Sequence, residues 1–568
     1  MLDRLKLRLS LLALFTLFGC STPSKAPNII LILTDDQGYG DVGFHRNPNI
    51  RTPNLDRLAA ESVEMTRFYV SPVCAPTRAA LMTGRYHYRS GVVHTSRGGA
   101  KMHGDETTIA EMLRPAGYRT GLFGKWHLGD NYPMRPIDQG FDEALWHKSG
   151  GIGQSPDRPN DYFDPQLWLN DQTTQGKGYC TDIFFQAAID FIERNRENPF
   201  FIYLPTNAPH TPLIVAEEAV QPYLDAGLDE TTARVYAMVE NIDDNLGRLT
   251  ERLDELNLTE NTLLVFITDN GPQQKRYTAG LRGQKTSVYE GGIRAVNLWR
   301  WPQRLTPRKI ESPAAHIDVA PTLLDVADIE APPDRPFDGV SLLPLVEGRD
   351  DAVVERLLFF QVHRGLTPQP HQNVAVVSSG WKLVAGPGTF GDESWAGSDA
   401  PPLELYDLAA DPGEQTNVIS EHPEELQRLR AAYEEWFESV RGTRNFTPGV
   451  IVIDPDHEDP TKLCRYQDSS YVNGRPTTWS VEIARAGQYE VSVDRAGDQT
   501  AAVLWVDMDG ERSSQPLEAG QDAALVELRA GSAKLDIWVQ QADGERVLAL
   551  DNSTLGDVTL RWKGPGAP

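Results

Sequence analysis

Four uninterrupted apolar runs constrain the fold of this chain more than any other feature of its sequence. They occupy residues 28–33, 120–123, 200–204 and 263–267. None shows the polar alternation of a half-exposed strand, so each is typical of a strand buried on both faces of a parallel sheet. Helical periodicity is clear over 183–192 and 235–253, between these runs. The first part of the chain is therefore predicted to be an α/β domain, a mixed or parallel sheet sandwiched by helices.

Polar motifs follow the apolar runs closely. They are Asp35-Asp36, Lys125 with His127, His210, and Asp269-Asn270. Because ligands of open α/β sheets bind at the carboxyl ends of the strands, we expect these four distant segments to converge at one edge. Adjacent acids after a strand are more often a solvated turn or a helix cap, but two such pairs after two apolar strands favour a metal site.

The rest of the chain divides into two smaller units. Residues 356–445 contain shorter strand patterns and one amphipathic helix over 424–440, which predicts a small antiparallel α+β subdomain. Residues 445–455 are interpreted as a linker, and 446–568 as an accessory β-sandwich, because alternating runs are separated by Gly and Asp turns. The runs are 479–483, 489–493, 502–506, 524–528, 534–538 and 558–562. Trp479, Trp505, Trp538 and Trp562 lie at strand positions, and we expect them in the core rather than on a sugar-stacking face.

Composition and the N-terminus limit the cellular setting. The net charge of −26 makes nucleic acid an improbable partner and requires a local basic pocket for any anionic substrate. The N-terminus contains basic residues and an apolar run that leads into Leu17-Phe18-Gly19-Cys20. Residues 1–19 therefore resemble a lipoprotein signal, with Cys20 as the residue that would be lipidated. The alternative is a cleaved secretory signal with an incidental cysteine. Both predict export, and the lipid anchor would place the first domain, residues 20–355, in the periplasm or at the outer membrane.

The four cysteines are too few to hold an exported chain of 568 residues together by disulfides. Cys180 and Cys464 could pair, or both could be buried thiols. Cys74 begins the stretch Cys74-Ala75-Pro76-Thr77-Arg78 and is predicted to start a helix that ends at Gly84. Arg78 then lies one turn along the same face. Taken alone, Cys74 is most simply a buried thiol at a helix start.

Further motifs occur in a fixed order around that stretch. They are Asp35-Asp36, Gly117-Tyr118-Arg119-Thr120, Gly124-Lys125-Trp126-His127, Asn207-Ala208-Pro209-His210, Thr268-Asp269-Asn270-Gly271 and Leu281-Arg282-Gly283-Gln284-Lys285. With the cysteine motif, this set resembles type I, formylglycine-dependent sulfatases of the alkaline phosphatase-like superfamily. The resemblance runs from about residue 28 to about residue 440. Thr77 and Phe123 depart from it, since serine and a smaller residue are usual there.

The resemblance implies a specific chemistry for these residues. A maturation enzyme would oxidise Cys74 to formylglycine, whose hydrate attacks sulfur and is steadied by Arg78. Lys125 and Lys285 would bind the sulfuryl oxygens, and His127 would assist proton movement at the hydrate. His210 with Lys285 would serve the leaving oxygen.

The residues themselves also favour a hard cation. Asp35, Asp36, Asp269 and Asn270 offer only oxygen ligands, which suit a divalent cation such as Ca²⁺ or Mg²⁺ and suit a soft metal poorly. The resemblance adds Cys74, as formylglycine, to this set and implies Ca²⁺.

We therefore interpret the chain as a sulfatase acting on a sulfated carbohydrate, with an algal-type galactan preferred over host glycosaminoglycans. Candidate sugar contacts lie in loops near the motif-bearing edge, although most such residues face solvent. They are His45-Arg46-Asn47, His94, Arg97, His147-Lys148 and Arg158, while His316 is interpreted as structural. The alternatives are a phosphomonoester or phosphonate hydrolase of the same superfamily, and a non-catalytic glycan-binding lipoprotein.

Overall fold

A computed structural model of the protein describes residues 26–349, 355–363, 365–386, 402–472, 475–495, 500–542, 544, 546 and 554–566. The predicted signal segment and the predicted lipidation site Cys20 lie outside these residues. Within the described residues, no helix combines the length and apolar character that a membrane span requires.

A ten-stranded mixed sheet forms the centre of the first unit. Its strand order is β12-β2-β11-β9-β1-β8-β4-β5-β6-β7. The bounds are β1 Asn28–Thr34, β2 Val63–Met65, β4 Arg119–Lys125, β5 Glu143–His147, β6 Gln166–Leu169, β7 Gln172–Gln175, β8 Phe200–Pro205, β9 Thr262–Thr268, β11 Asn297–Arg300 and β12 Arg308–Ile310. β9, β1, β8, β4 and β5 are neighbours and run parallel. The four apolar runs are therefore central strands of one sheet, as predicted.

Alternate residues of these strands belong to two different hydrophobic cores. Leu31 and Val265 contribute to one core, whereas Ile32 and Phe266 contribute to the other. The first core also contains residues of α2, α3, α8 and α9, and the second contains residues of α4, α5 and α6. Burial on both faces explains why the strand sequences lack polar alternation.

The helices have the following bounds: α1 Pro53–Ala60, α2 Cys74–Thr83, α3 Ile109–Leu113, α4 Cys180–Asn195, α5 Glu217–Asp225, α6 Glu230–Glu255, α7 Glu290–Ile293, α8 Val319–Val326, α9 Leu343–Val346, α10 Pro423–Arg444 and α11 Arg465–Asp468. Short 3₁₀ turns cover Gly43–His45, Arg114–Ala116, Pro136–Gln139, Thr259–Asn261 and His316–Asp318. A small sheet of order β10-β3-β13 joins Arg294–Ala295, Phe68–Tyr69 and Ala314–Ala315.

The second unit contains a four-stranded antiparallel sheet with α10. Its strands are β14 Leu358–Gln361, β15 Val374–Val377, β16 Trp381–Ala385 and β17 Leu403–Asp407. This matches the predicted α+β subdomain. β17 was not predicted as a strand.

The last unit is a two-sheet sandwich of orders β18-β22-β27-β24-β25 and β19-β28-β23-β26. The strands are β18 Ile451–Ile453, β19 Thr461–Leu463, β22 Trp479–Ile483, β23 Gly487–Val493, β24 Ala502–Met508, β25 Glu511–Leu517, β26 Ala523–Leu528, β27 Gly531–Gln541 and β28 Val558–Gly564, with a small hairpin of β20 Tyr471–Val472 and β21 Arg475–Pro476. The linker prediction for 445–455 was wrong in part, because β18 lies within it and pairs with β22.

The tryptophan prediction for this sandwich was correct only in part. Trp479 is fully buried in the core, as expected. Trp562 is partly buried and packs against that core, which also agrees with the prediction. Trp505 is partly exposed, and Trp538 is buried outside the core, beneath the guanidinium of Arg546 at 3.6 Å. Since Leu535, Ile537 and Val539 point inward, alternation along β27 turns Trp538 to the outer face, where it stacks on Trp505.

Candidate active site

The two acidic pairs lie side by side at the carboxyl ends of β1 and β9. Thr34 pairs with Thr268, so the residues that follow each strand emerge together. The backbone N–H of Asp36 donates to Asp269 Oδ1 at 3.1 Å, and Asn270 Nδ2 donates to Asp36 Oδ1 at 2.8 Å. The predicted convergence is thus found for both pairs.

Cys74 is the first residue of α2 and lies beside this acidic group. The helix ends at Gly84, whose φ of 67° gives the left-handed conformation expected at a helix C-terminus. Burial raises the pKa of the Cys74 thiol, although Lys125 and Lys285 act in the opposite direction. The unmodified side chain is therefore a protonated thiol, which is a poor nucleophile.

Arg78 lies one turn further along α2 and contacts Asp269, one of the residues predicted to bind a metal. Its Nη1 donates to the carbonyl oxygen of Lys125 at 2.9 Å, and its Nη2 donates to Asp269 Oδ2 at 2.9 Å. Thr77, which replaces the usual serine, donates to the carbonyl oxygen of Asp269 at 2.7 Å. The start of α2 is thereby joined to the end of β9. The implied role of Arg78 toward a modified Cys74 stays a prediction.

Lys125 and Lys285 pair with the two carboxylates that follow β1. Lys125, the last residue of β4, donates to Asp35, and both side chains are fully buried. Lys285 Nζ lies 2.5 Å from Asp36 Oδ1. Burial opposes the charged form of Lys285, but Asp36, Cys74 and Asp35 together outweigh burial and raise the pKa of the ammonium group. Both lysines therefore bring positive charge to the carboxyl edge of the sheet.

The ring of His127 has a defined tautomer. Its Nε2 lies 2.8 Å from the carbonyl oxygen of Thr95, which can only accept, so Nε2 carries the proton. Nδ1 is then the acceptor and lies 3.5 Å from Cys74 Sγ. Burial, with Lys125, holds the pKa of His127 well below its usual range. His127 thus presents a neutral, proton-accepting nitrogen to Cys74.

His210 approaches the site from the loop after β8. Its Nδ1 lies 2.5 Å from the carbonyl oxygen of Thr211, and its Nε2 lies 3.8 Å from Asp36 Oδ2. The carbonyl fixes the proton on Nδ1, so Nε2 faces the carboxylates. Burial lowers the pKa of His210, and Asp36 opposes that effect.

The oxygen atoms of this group fit a divalent cation. Asp35 Oδ1, Asp36 Oδ2 and Asn270 Oδ1 are buried without a hydrogen-bond partner. Ligand atoms of Asp35, Cys74 and Asp269 lie within 4.8 Å of one another, as do those of Asp35, Asp36 and His210. Burial, with the negative charge of Asp35, raises the pKa of Asp269 to about 8. Unpaired buried oxygens and crowded carboxylates are the features that a bound cation would relieve.

A cavity of about 410 Å³ opens onto this group. Its lining includes Cys74, His127, His210 and Lys285. Residues of several loops and of α11 complete it: Val73, Thr95, Ser96, Gly150, Gln154, Thr211, Gln273, Gln284, Thr286, Tyr466 and Gln467. The cavity is of the size that small-molecule sites occupy, with the cysteine and the acid–base groups on its wall.

Comparison with known proteins identifies the family. Residues 27–329 match the family model described as Sulfatase, and residues 283–441 match N-sulphoglucosamine sulphohydrolase, C-terminal. The chain belongs to the sulfatase family. The predicted family, fold class and enzyme class are thereby confirmed.

Relatives of this sulfatase extend over most of the chain. Human N-acetylgalactosamine-6-sulfatase is 31% identical over 74% of this chain and 88% of its own length. Human arylsulfatase A is 32% identical over 72% of this chain and 87% of its own length. A solved structure, that of Ps i-CgsB in complex with k-i-k-neocarrahexaose, has a TM-score of 0.65 and 28% identity, covering 72% of this chain and 93% of that one.

Several predicted sugar contacts of the sulfatase have structural partners instead. His45 lies 2.6 Å from the carbonyl oxygen of Tyr39 and 2.8 Å from Glu64 Oε1. Asn47 is buried and donates to Tyr236. These two side chains hold the loop after β1 in place. Arg46 is exposed, and none of the three lines the cavity.

The other predicted sugar contacts lie in loops that do line the cavity, but different residues of those loops form the lining. His94, His147 and Lys148 are buried, Arg97 lies over the ring of Tyr471, and Arg158 is exposed. The same two loops contribute Thr95, Ser96, Gly150 and Gln154 to the cavity. His316 is buried with Nε2 2.9 Å from Ser71 Oγ, which agrees with a structural role.

Nine polar or aromatic lining residues of the sulfatase were not predicted from its sequence. They are Thr95, Ser96, Gln154, Thr211, Gln273, Gln284, Thr286, Tyr466 and Gln467. Thr211, Gln273 and Gln284 adjoin or lie within recognised motifs, so their neighbours could have indicated them. Tyr466 and Gln467 belong to the appended sandwich, and no local pattern indicates them.

Proposed function

We propose that Cys74 is converted to formylglycine and that the enzyme cleaves sulfate esters of a sulfated carbohydrate. One observation supports this most strongly. The sulfur of Cys74 lies at the cavity wall, close to Asp35 and Asp269 and 3.5 Å from an unprotonated histidine nitrogen. A formylglycine-generating maturation enzyme is the partner that this proposal requires.

Asp35, Asp36, Asp269, Asn270 and the modified Cys74 side chain would hold Ca²⁺. When bound, the cation would polarise the sulfate ester and offset the charge of the carboxylates. The proposal rests on the unpaired buried oxygens of Asp35, Asp36 and Asn270.

The proton movements follow from the positions of the side chains. In the converted enzyme, one hydroxyl of the hydrated aldehyde would give its proton to the adjacent carboxylate of Asp269 and attack sulfur, and the bond between sulfur and the leaving oxygen would break. Lys285 borders the cavity as an ammonium group and is placed to provide the proton for the leaving alcohol, with His210 Nε2 as a hydrogen-bond acceptor in the same cavity lining. His127 Nδ1 then takes a proton from the second hydroxyl. The bond from that carbon to the sulfate oxygen breaks, the aldehyde re-forms, and water restores the hydrate.

We further propose a sulfated galactan as substrate, with glycosaminoglycan fragments second. The cavity is lined by amide, hydroxyl and aromatic side chains, which suit a polyhydroxylated ring. The similar structure of Ps i-CgsB was solved in complex with k-i-k-neocarrahexaose, and one relative is an N-acetylgalactosamine-6-sulfatase. Desulfation of k-i-k-neocarrahexaose and of N-acetylgalactosamine 6-sulfate, followed by NMR, tests this assignment. If the enzyme desulfates neither sugar, the substrate assignment is excluded.

Cys74→Ala tests the nucleophile. With a maturation enzyme co-expressed, we expect the wild-type peptide to be lighter by about 18 Da, the change from thiol to aldehyde. The variant should lose 4-nitrophenyl sulfate turnover and retain its melting temperature. Cys180→Ala is a matched control, because Cys180 is also a buried thiol at the first residue of a helix. An unshifted wild-type peptide, or an active Cys74→Ala variant, would contradict the proposal.

Parallel assays with 4-nitrophenyl phosphate distinguish the sulfatase from a phosphomonoester hydrolase, since the two esters differ mainly in charge. We expect sulfate turnover to dominate in the converted enzyme.

We also propose export with a lipid anchor on Cys20. Mass spectrometry of the mature N-terminus tests the anchor, and an unlipidated N-terminus would exclude it.

A further inference from the structure

The β-sandwich at the end of the chain reaches the active-site cavity. The family matches end at residue 441, so this unit is additional to the matched sulfatase. Its helix α11 nevertheless contributes Tyr466 and Gln467 to the cavity that contains Cys74. A unit appended to the family domains therefore forms part of the wall around the reacting group.

Helix α11 is held against the first unit by backbone hydrogen bonds. The N–H groups of Arg97 and Gly98 donate to the carbonyl oxygens of Tyr466 and Gln467, at 3.2 and 2.8 Å. Lys101 Nζ donates to the carbonyl oxygen of Asp468 at 2.8 Å, and both residues are buried. Contacts of this kind at three consecutive residues fix the position of α11 at the cavity wall.

Side chains of α11 also form contacts with the sandwich. Arg465 is buried, donates to the carbonyl oxygen of Thr477 at 2.7 Å and to Asp536 Oδ1 at 2.9 Å, and lies over the ring of Trp479. Asp468 Oδ2 accepts from the backbone N–H of Cys464 at 3.0 Å. The two residues that face the cavity are therefore flanked by anchored ones.

Gln467 is a positioning residue for the loop that orients His127. Its Nε2 donates to the carbonyl oxygen of Thr95 at 3.2 Å, the oxygen that also accepts from His127 Nε2. Its Oε1 accepts from Ser149 Oγ at 3.4 Å. Gln467 is thus occupied by protein contacts.

Tyr466 differs from Gln467 in this respect. Its side chain is partly exposed, and its phenol forms no hydrogen bond with any residue that the structure describes. An aromatic ring on an anchored helix at a cavity wall offers both an apolar face and a polar tip to a ligand. Sugar rings carry the matching combination of C–H faces and hydroxyl groups.

We infer that Tyr466 is a specificity-determining residue that contacts the sugar ring carrying the sulfate ester. The inference rests on the proposed function. The sandwich then serves as one wall of the substrate site rather than as a separate glycan-binding tail. The outer face of the sandwich carries the competing aromatic surface, formed by Trp505 and Trp538.

The experiment compares one compact and two sugar substrates on the full-length, converted enzyme. The substrates are 4-nitrophenyl sulfate, N-acetylgalactosamine 6-sulfate and k-i-k-neocarrahexaose. We expect Tyr466→Ala to lower kcat/KM at least about tenfold for whichever sugar the wild type desulfates, because pocket contacts of this size discriminate by that factor or more. Turnover of 4-nitrophenyl sulfate should fall by a smaller factor, because nitrophenolate is a good leaving group and its release depends less on contacts to the ring.

Two further variants control for the ring and for its location. Tyr466→Phe retains the ring and should keep most of the sugar activity. Trp505→Ala removes a partly exposed aromatic group from the same unit, away from the cavity lining, and should leave sugar turnover unchanged. Melting temperatures establish that each variant is folded.

The outcomes separate this inference from the proposed function. An inactive wild type with converted Cys74 would remove the proposed function itself. An active wild type that desulfates neither sugar would overturn the inference, as would equal losses of Tyr466→Ala on aryl and sugar substrates, or no loss on either. Loss of sugar turnover in Trp505→Ala instead would assign the sugar to the outer face.

Discussion

Charge at the level of single residues explains how a strongly acidic chain can bind an anionic ester. Three fixed cations contact three carboxylates through the pairs of Arg78 with Asp269, Lys125 with Asp35, and Lys285 with Asp36. When all three carboxyl groups are ionised, as a bound cation would favour, these six charges cancel, and a divalent cation then makes the group positive. The attraction for a sulfate ester is therefore local, while the chain as a whole carries a net charge of −26.

Calcium removal tests this balance at the residue scale. We expect saturating CaCl₂ to raise the melting temperature relative to EGTA, because a ligand at 100 times its Kd stabilises the native state by about 2.7 kcal/mol. Asn270→Ala removes one of the unpaired oxygens and should reduce that difference. Asn297→Ala is the control, since Asn297 is also buried but binds Trp299. An undiminished calcium response in Asn270→Ala would contradict the assignment.

At the scale of elements, the site depends on the register of neighbouring parallel strands. β4 runs beside β8 and ends in Lys125, and the preceding Gly124 has a φ of 133°. A Cβ atom at this position would lie 1.8 Å from the carbonyl oxygen of Pro205. Only glycine therefore allows the two strands to approach where Lys125 enters the site.

Gly124→Ala should consequently destabilise the protein by more than about 3 kcal/mol, since backbone strain and a steric clash add. Gly117→Ala is the matched control, because Gly117 also has a positive φ, of 91°, but a Cβ atom there would have no other atom within 4 Å. Its cost should be about 1–2 kcal/mol, from the left-handed backbone alone. Urea denaturation of both variants measures the difference, and equal losses would exclude the clash.

At the scale of the whole molecule, buried polar groups join the sandwich to the first unit. Ser155 Oγ donates to Asp557 Oδ2 at 3.0 Å, and the backbone N–H of Arg465 donates to Asp557 Oδ1 at 2.6 Å. Met134 of the first unit lies in the hydrophobic core of the sandwich. Burial raises the pKa of Asp557 to about 7.

This carboxyl group should make stability pH-dependent. Its pKa is about 3.9 in an unfolded chain, so between about pH 4 and pH 7 the folded state binds more protons than the unfolded state. Its contribution to the free energy of unfolding therefore falls as pH rises through that window and is constant above it. Since a tenfold change in proton affinity is worth about 1.4 kcal/mol, the loss is at most about 4 kcal/mol.

Asp557→Asn should remove that part of the pH dependence. The amide oxygen can still accept from Arg465, and the amide nitrogen can donate to Ser155 Oγ. Urea midpoints at pH 5 and pH 8 should therefore differ less in the variant than in the wild type. The same difference in both proteins would show that Asp557 is ionised in the folded state at pH 5.

Sequence alone determined the features that depend on local chemistry and on order along the chain. Strands buried on both faces need continuous apolar runs, so β1, β4, β8 and β9 could be predicted, and the helix of Cys74 follows from Pro76 and Gly84. The acidic pairs could be placed together because parallel strands end at one edge. β25 was missed, because an exposed edge strand such as Glu511–Leu517 has no apolar pattern.

Only the tertiary structure decided which distant side chains meet. The stacking of Trp505 on Trp538, the tautomer of His127 and the presence of Tyr466 in the cavity that contains Cys74 depend on contacts between residues far apart in the chain. A tyrosine in a four-residue helix, several hundred positions after the cysteine, carries no signal of its own. Its place at the cavity arises from how the sandwich packs on the first unit, because local sequence specifies an element's faces but not which surface they meet.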